Sequence, residues 1–532
     1  MAQARYDQGA VDPSTDLAMI TLLLKPSASQ QTALDRLLAD QQDRSAPDFH
    51  RWLTPEQFAD RFAVSAGDIS KIRAWLESQG LRINDVARGR GWVTFSGTAE
   101  RVSGAFQTEI HRYTVDGESH FANATDPAIP EAFESVIGGI NGLNDFGPRR
   151  ADPKNIVRPQ FNAGGGIHYV TPDDIATIYD VQPLYAAGID GTGQAIAIMG
   201  QSDIALSDIR SFRQQFGLPP KDPQMILVGN NPGKNGAELE ADVDLEWSGA
   251  LARNATIFYV YAQNVFTAAQ YAVDQNIAPV MSTSFSFCER EVVPAYRSVV
   301  QQANAQGITW VTSSGDAGAA GCDRNSYVSQ ATRGLSVNFP ASIPEVTAVG
   351  GTTFAEGNGN YWAPNNTATG ASAVSYIPER AWNDTAVLNQ LWSTGGGSSV
   401  YFSKPAWQQG PGVPADGARD VPDIALAASF EHDGYLTVSE GNLLAAGGTS
   451  VGTPEFAGIV ALLNQALSKG AQGPGRLGNI NPVLYRLAQT TTDVFHDITS
   501  GDNMVPCAPG SPDCTSGSLG YTAGPGYDLV TG

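Results

Sequence analysis

The feature that most constrains the fold is a series of apolar runs that alternate with helical segments between residues 194 and 349. The predicted strands are 194–200, 224–228, 256–262, 279–285, 309–313 and 346–349, and the predicted helices between them are 202–216, 237–252, 266–275 and 293–305. Strands that are apolar on both faces and separated by helices form a parallel sheet with helices on both faces. We therefore predict an α/β fold, and we expect chemistry at the carboxyl ends of the strands.

The first part of the chain has a different pattern. The predicted elements are strands at 17–25, 91–96 and 109–115 and helices at 30–41, 65–78 and 98–106, with a further helix that begins at Thr54-Pro55. A threonine N-cap followed by proline at the first helical position is a typical helix start. This mixture predicts a compact α+β domain at 1–145.

The two predicted domains are joined by an aperiodic segment. Residues 146–167 contain Gly147-Pro148, Asp152-Pro153 and the triplet Gly164-Gly165-Gly166. Such a segment favours an exposed chain that a peptidase can cut. We therefore expect a linker with a processing site at 146–167 and a second domain at 168–532.

The charge balance excludes some classes of partner. The 532 residues carry 32 basic and 54 acidic side chains, a net charge of −22. A protein that binds a phosphate backbone needs the opposite sign, so we expect no nucleic acid. The chain contains no apolar run of the roughly 18 residues that a membrane span needs, so we expect no membrane either. The first residues lack an apolar targeting core, which leaves a cytosolic protein and a removed targeting segment both open.

A candidate nucleophile lies in the sequence Gly447-Gly-Thr-Ser450, which leads into an apolar helix. Free backbone N–H groups and the helix dipole favour a developing anion at a helix N-terminus. A serine nucleophile needs that environment beside its hydroxyl. The alternative is a serine that only caps the helix.

Candidate acid and base groups lie in the predicted helix 237–252. Glu240 and Asp244 are four residues apart, so they share one face of the helix. An acidic helix is usually solvated, but Trp247 and the apolar residues after it indicate burial. A buried pair of carboxyl groups raises the pKa of one of them and can share a proton. A third carboxyl group, Asp316, follows the predicted strand 309–313 on a glycine turn, which by itself is weak evidence of a site.

Oxygen ligands cluster near the end of the sequence. Asp497 and Asp528 are carboxylates, and glycines at 524 and 526 leave backbone carbonyls accessible. Such a set suits a hard cation such as calcium. The alternative is a glycine-rich surface turn.

Taken together, these motifs resemble the sedolisin (serine-carboxyl) peptidases. The resemblance rests on Gly447-Gly-Thr-Ser450 with Pro454 and on Glu240 with Asp244, and it extends to 340–352, 395–408 and 419–423. It implies a subtilisin-like parallel sheet with helices on both faces, preceded by an α+β propeptide domain. It also implies roles for Ser450 as nucleophile, Glu240 as general base, Asp244 as the residue that orients Glu240, and Asp316 as a protonated oxyanion donor.

The same resemblance implies a calcium ion with a structural role. Its expected ligands are Asp497, Ile498, Gly524, Gly526 and Asp528, the last by its side chain like Asp497. The family pattern further implies a zymogen whose propeptide is an intramolecular inhibitor, secreted to an acidic extracellular environment. We expect a monomer that cleaves proteins or peptides, with an optimum of about pH 3–5 because one carboxyl must be ionised while another is neutral.

Some positions depart from the family pattern. Phe285 stands where kumamolisin-type members have a tryptophan, and 196–201 offers no glutamate, so we expect no extended catalytic network. The six histidines lie at 50, 111, 120, 168, 432 and 496, none in a subtilisin-type motif, which makes a Ser-His-Asp mechanism the second choice. Two more hypotheses stay open, namely a catalytically dead binding protein and a peptidase that uses paired carboxylates alone.

The four cysteines form two local pairs. Cys288 and Cys322 follow the ends of two successive predicted strands, which are usually neighbours, so a disulfide between them is geometrically possible. Cys507 and Cys514 could close a short loop. Free buried thiols are the alternative for both pairs.

Overall fold

A computed structural model describes residues 2–115, 117–146, 162–164, 167–323, 328–469 and 475–532. The chain divides into two compact units. The N-terminal unit comprises Met1–Pro148, Val273–Asn276 and Val293–Gln306, and the C-terminal unit comprises Arg149–Ala272, Ile277–Val292 and Gly307–Gly532. Most of the predicted linker at 146–167 lies outside the described residues, so the processing site remains a prediction.

The N-terminal unit contains two antiparallel sheets. One has the strand order Arg82–Val86, Trp92–Thr98, Asp16–Leu24, Ile137–Asn141, and the other has the order Asp7–Ala10, Ile110–Val115, Glu118–Asn123. The helices are Ala28–Asp40, Pro55–Phe62, Ala66–Ser78, Ala99–Phe106 and Arg297–Ala305. Single 3₁₀ turns lie at Ala4–Tyr6, Glu131–Phe133 and Pro294–Tyr296. The unit therefore has the α+β character that the sequence predicts.

Local sequence explains where these helices begin. Ser27 and Thr54 both accept a hydrogen bond from the third helical backbone N–H, and the glutamine at that position bonds back to the cap in each case. This reciprocal pairing satisfies two donors that a helix start otherwise leaves without partners. The core beneath the helices is apolar, and Ile20, Phe95 and Phe106 are fully buried in it.

The C-terminal unit is built on an eight-stranded sheet. The strand order is Gln224–Leu227, Thr256–Tyr261, Ala195–Gly200, Val280–Thr283, Thr309–Ser313 and Thr347–Phe354, which then pairs with both Ile424–Ala427 and Glu379–Ala381. All of these pairings are parallel except the last. The central strands are buried at every position, as expected for a sheet covered on both faces.

The remaining elements of this unit surround the sheet. Its helices are Pro172–Ile178, Gln182–Ala186, Leu206–Gln215, Glu238–Leu251, Thr385–Leu388, Phe430–Asp433, Thr449–Lys469 and Asn481–Thr490, and Val265–Asp274 crosses the boundary between the units. A 3₁₀ turn lies at Glu289–Glu291. Two-stranded pairs join Asn162–Gly164 to Ile167–His168, Phe287–Cys288 to Asn338–Phe339, Gly397–Ser403 to Ala418–Val421, Tyr435–Ser439 to Asn442–Ala446, and Val505–Pro506 to Ser518–Leu519.

Two helices of this unit position the candidate site. The acidic helix (Glu238–Leu251) is buried along most of its length and packs against the long helix (Thr449–Lys469). Trp247 and Leu251 are fully buried in the common core, which explains why a helix with five acidic residues is not a solvated surface helix.

Both cysteine pairs are bonded. Cys288 is joined to Cys322 and Cys507 to Cys514. Within the residues that the structure describes, no helix combines the length and the apolar character needed to cross a membrane.

Candidate active site

Ser450 is the second residue of the long helix, and a glycine turn leads into it. Gly448 has a φ of +102°, and a β-carbon there would come within 3.0 Å of Asp316 Oδ2. Only glycine accepts both the conformation and the close approach. Ser450 is 9% exposed, and its Oγ donates to the backbone oxygen of Ser284 at 3.5 Å. The hydroxyl therefore lies at a buried helix N-terminus, as the sequence predicts.

Asp316 lies directly beside that helix start. Its Oδ1 accepts hydrogen bonds from the backbone N–H and the hydroxyl of Thr449, at 2.8 and 2.9 Å. Burial raises the pKa of Asp316, and the two Thr449 bonds oppose this effect only in part. The carboxyl group is thus biased toward its neutral form, which can donate a hydrogen bond from Oδ2.

Asp244 is fully buried on the acidic helix. Burial is the main reason that its pKa is raised well above the ordinary value, and the charge of Glu240 raises it further. The Ser284 hydroxyl donates to Asp244 Oδ1 at 2.5 Å and acts in the opposite direction. Glu240 is half-buried one helical turn before Asp244, so the two carboxyls form an interacting pair.

The structure therefore links Asp316 and Asp244 to the start of the long helix at Ser450 through short contacts, while Glu240 interacts with Asp244. Asp316 contacts the residue before Ser450, and Ser284 contacts both Asp244 and Ser450. Sequence reasoning missed Ser284. The only signal in the sequence was its position, because it is the next-to-last residue of the predicted strand 279–285, near the edge where ligands of parallel sheets bind.

The histidines have partners elsewhere. His50, His111 and His120 belong to the N-terminal unit. In the C-terminal unit His168 stacks on Trp362, His496 stacks on Tyr376, and His432 pairs with Asp433 and Glu356. Glu356, His432 and Asp433 also lie close enough together to hold a metal ion, and among the described residues no other group of three or more such side chains does. The partners of these histidines do not support a Ser-His-Asp arrangement.

Two of the predicted calcium ligands, Asp497 and Asp528, are bonded to the glycine turn at 524–526. Gly526 N–H donates to Asp497 Oδ2 at 3.1 Å, and Gly524 N–H donates to Asp528 Oδ2 at 3.0 Å. Asp528 Oδ1 also accepts from the backbone of Val530 and Thr531 at 2.9 and 2.8 Å. Two carboxylates are therefore held by the same glycine turn, and the donor set is one that a hard oxygen-binding cation accepts.

Comparison with known proteins gives matches to both units. The model of the Pro-kumamolisin activation domain matches residues 3–146, and that of the Subtilase family matches 235–488. Sedolisin of Pseudomonas sp. (strain 101) is 31% identical over 91% of this chain and 80% of its own length. Kumamolisin of Bacillus sp. (strain MN-32) is 30% identical over 100% of the chain and 92% of its own length.

A more distant relative and a solved structure extend the comparison. Human tripeptidyl-peptidase 1 is 27% identical over 98% of this chain and 90% of its own length. The structure of Pseudomonas sedolisin complexed with two molecules of pseudo-iodotyrostatin superposes with a TM-score of 0.55 at 30% identity, over 69% of this chain and 95% of the other.

Proposed function

Because this chain belongs to the sedolisin family of serine-carboxyl peptidases, with an N-terminal activation domain and a subtilisin-like fold, we propose that it is a secreted, acid-active endopeptidase. In this proposal Ser450 forms the acyl-enzyme and Glu240 is the general base. The observation that carries it is the junction at the start of the long helix, where Asp316 and, through Ser284, Asp244 both contact the backbone around Ser450.

The proposed reaction begins with proton transfer from Ser450 to Glu240. The Ser450 oxygen attacks the peptide carbonyl carbon, and the carbonyl oxygen becomes an oxyanion that accepts a hydrogen bond from neutral Asp316. The C–N bond then breaks, and the leaving amine takes the proton from Glu240. A water molecule then gives a proton to Glu240, and its oxygen attacks the carbonyl carbon of the ester. The bond to the Ser450 oxygen breaks, the acid product leaves, and Glu240 gives the proton back to Ser450.

The carboxyl groups account for the proposed acid optimum. A free glutamate has a pKa of about 4.3 and histidine about 6.5, so a glutamate still accepts a proton at an acidity where imidazole does not. Burial raises the pKa of Asp316, which keeps this donor neutral over a wider range of acid pH. Activity should rise as Glu240 ionises and fall as Asp316 ionises, with an optimum of about pH 3–5.

The zymogen form follows from the activation domain, and we propose that acid weakens it. Asp7, Glu56 and Asp68 of the N-terminal unit are at least partly exposed and have lowered pKa values. The largest cause is a backbone hydrogen bond for Asp7 and Glu56 and the bond from Lys71 for Asp68, and basic or hydroxyl donors add to it. The pairs with basic partners are Asp7 with His111, Glu56 with Arg88, and Asp68 with Lys71. A lowered pKa means stability that is present at neutral pH and is lost as pH falls through the folded value.

Asp145 and Asp274 of this unit behave in the opposite way, because burial raises the pKa of each carboxyl group. Asp274 accepts the backbone N–H groups of Arg88 and Gly89 at 3.0 and 2.9 Å. Burial is the main reason that the pKa of Asp274 is raised, so the contribution of Asp274 to the stability of the unit is not lost in acid. Acid should therefore weaken the unit at its exposed ion pairs rather than at Asp274.

Two further parts of the proposal rest on the C-terminal unit. Two disulfides are typical of proteins exposed to an oxidising compartment, which supports secretion. Asp497 and Asp528, with backbone oxygens of Ile498, Gly524 and Gly526, would hold a calcium ion that stabilises this loop and takes no part in the reaction. We expect a monomer that acts on proteins or peptides.

Digestion of a peptide library tests the function. The wild-type protein and Ser450→Ala are incubated with the library at about pH 4 and pH 8. We expect internal cleavage at the acid pH by wild type only, together with an unprocessed Ser450→Ala precursor. Activity that survives in Ser450→Ala would mean that carboxylates alone catalyse the reaction. If the wild-type protein neither cleaves peptides nor binds a peptide-aldehyde inhibitor at any pH, it is a binding protein. Release of tripeptides only would favour the exopeptidase type that the name tripeptidyl-peptidase 1 describes.

A further inference from the structure

Ser284 is held rigidly at the carboxyl end of the strand Val280–Thr283. It is 7% exposed, and its backbone oxygen accepts the Ser313 hydroxyl at 3.0 Å from the neighbouring strand. The residue before it is fixed as well, because the Thr283 hydroxyl accepts Trp310 Nε1 at 3.0 Å. A side chain on such a support keeps its orientation without a ligand.

Two contacts connect Ser284 to the candidate catalytic residues. Its hydroxyl is 2.5 Å from Asp244 Oδ1 and 3.3 Å from the backbone oxygen of Ser450, while its own backbone oxygen accepts Ser450 Oγ at 3.5 Å. The shorter distance identifies Asp244 as the main acceptor of its single proton. Ser284 therefore bonds the carboxyl pair on one side and the nucleophile on the other.

The bond to Oδ1 decides where Asp244 can carry its own proton. Because Oδ1 acts as the acceptor of this hydroxyl proton, a proton that Asp244 itself carries has to lie on its other oxygen, Oδ2. Asp244 Oδ2 is buried and accepts no hydrogen bond from the residues that the structure describes. The proton of neutral Asp244 therefore belongs on Oδ2, where it can be shared with Glu240 on the same helical face.

We propose that Ser284 is a positioning residue of the peptidase reaction, which fixes Asp244 so that Oδ2 presents its proton to Glu240 and leaves Glu240 ionised to accept the proton of Ser450. The inference rests on the proposed function, since it assumes the roles of Glu240 and Ser450. Phe285, at the position where kumamolisin-type members have a tryptophan, has no side-chain donor. The Ser284 hydroxyl next to it supplies the hydrogen bond that holds Asp244.

The other titratable groups near Asp244 are already bonded or face elsewhere. Tyr259, from the strand Thr256–Tyr261, donates its hydroxyl to the Ser202 backbone oxygen at 2.8 Å. Asp242 accepts Ser439 Oγ, and Glu246 accepts the Thr437 hydroxyl, so these two acids of the same helix bond the strand Tyr435–Ser439 instead. Glu240 is therefore the ionisable group that acts together with Asp244.

The test compares Ser284→Ala with wild type, Ser284→Thr and the control Ser282→Ala. Ser282 lies two residues earlier on the same strand, and its buried hydroxyl has no partner among the described residues. For each protein we would measure kcat and KM over about pH 2.5–7, with the melting temperature as a check on folding. Loss of one hydrogen bond to a charged or proton-sharing group corresponds to a roughly ten- to hundredfold fall in kcat.

For Ser284→Ala we expect that fall in kcat and a KM within about threefold of wild type. The acidic limb of kcat/KM should move to higher pH, because the donor that stabilises the negative charge shared by Glu240 and Asp244 is gone. Ser284→Thr should restore most of both effects, and Ser282→Ala should show neither. If Ser284→Ala does not fold, Ser284→Cys, which keeps the shape with a weaker donor, is measured in the same way.

An unchanged kcat and pH profile in Ser284→Ala would overturn the inference, as would a loss of kcat with no movement of the acidic limb. Failure of the proposed function looks different. In that case either Ser450→Ala and Glu240→Gln would remain active, or the wild-type protein itself would show no cleavage, whatever Ser284→Ala does.

Discussion

Asp242 gives the sharpest prediction about stability. It is 1% exposed on the acidic helix, where Oδ2 accepts the Ser439 hydroxyl at 2.6 Å and Oδ1 is buried with no donor among the described residues. Burial is the main cause that raises its pKa to about 8, with Asp208 and Glu238 adding to the effect. We therefore expect the folded protein to keep this carboxyl neutral well above the pH at which the unfolded chain ionises it.

The sign and size of the effect follow from linkage. A folded pKa above the unfolded value means that the contribution is complete below the unfolded pKa of 3.8 and declines as pH rises to about 8. At about 1.4 kcal/mol per unit, the free energy of unfolding should fall by at most about 5 kcal/mol between pH 4 and pH 8. For a unit of this size that corresponds to roughly 5 °C in melting temperature.

The assay uses Ser450→Ala as the parent, because an inactive protein cannot digest itself during heating. Melting temperatures are measured at about pH 4, 6 and 8 for the parent and for the parent with Asp242→Asn. The asparagine cannot ionise, so the difference in melting temperature between acid and alkaline pH should shrink by several degrees. Comparing the two slopes cancels any constant cost of the substitution and the response of the N-terminal unit.

The matched control is Asp222→Asn. Asp222 is exposed, and its bond to Arg210 lowers its pKa, so any stability that it contributes is lost in acid instead. This substitution should leave the change between pH 6 and pH 8 as it is in the parent. If Asp242→Asn also leaves that slope unchanged to within about 1 °C, Asp242 is ionised in the fold and the reasoning is refuted.

Three further outcomes are expected. Glu240→Gln should lower kcat by about a thousandfold or more at every pH, since a carboxamide accepts no proton from Ser450; a retained acid optimum would contradict the assignment. Asp316→Asn keeps a donor that cannot ionise, so the weaker remaining activity should extend to higher pH, and an unmoved alkaline limb in rate measurements would show that another group sets it. Excess chelator should lower the melting temperature of the wild-type protein but not of Asp528→Ala, and equal values with and without chelator would count against calcium.

The sheet of the C-terminal unit could be predicted because its strands are apolar on both faces. The predicted strand 309–313 has the observed bounds Thr309–Ser313. A short run that is buried at every position is typical of a central strand. The predicted helix 202–216 instead begins at Leu206, because Ser202 and Asp203 form hydrogen bonds to the loop at Gly233. Helix boundaries of this kind depend on distant partners, which a local pattern does not contain.

Other parts had too weak a local signal. Strand Ile137–Asn141 contains two adjacent glycines and shows no alternation, so the sequence does not predict it, yet it pairs along Asp16–Leu24 and extends the sheet. Ser284 has the same limitation, because a serine at a strand end has no distinctive pattern. Its importance comes from the packing of Asp244 against it, and this contact joins residues 40 apart in the sequence.

Carboxylates of the two units differ in how protons affect their contribution to stability, because some are partly exposed and others are fully buried. In the N-terminal unit partly exposed acids such as Asp7 and Asp68 have pKa values lowered by hydrogen-bond donors, so acid removes their contribution to stability. In the C-terminal unit burial raises the pKa values of Asp242, Glu246 and Glu455, so acid adds stability and alkali removes it. Within the proposed function, these acids of the N-terminal unit are where a fall in pH would weaken the zymogen, whereas the buried acids of the unit that contains Ser450 would keep their contribution to its stability.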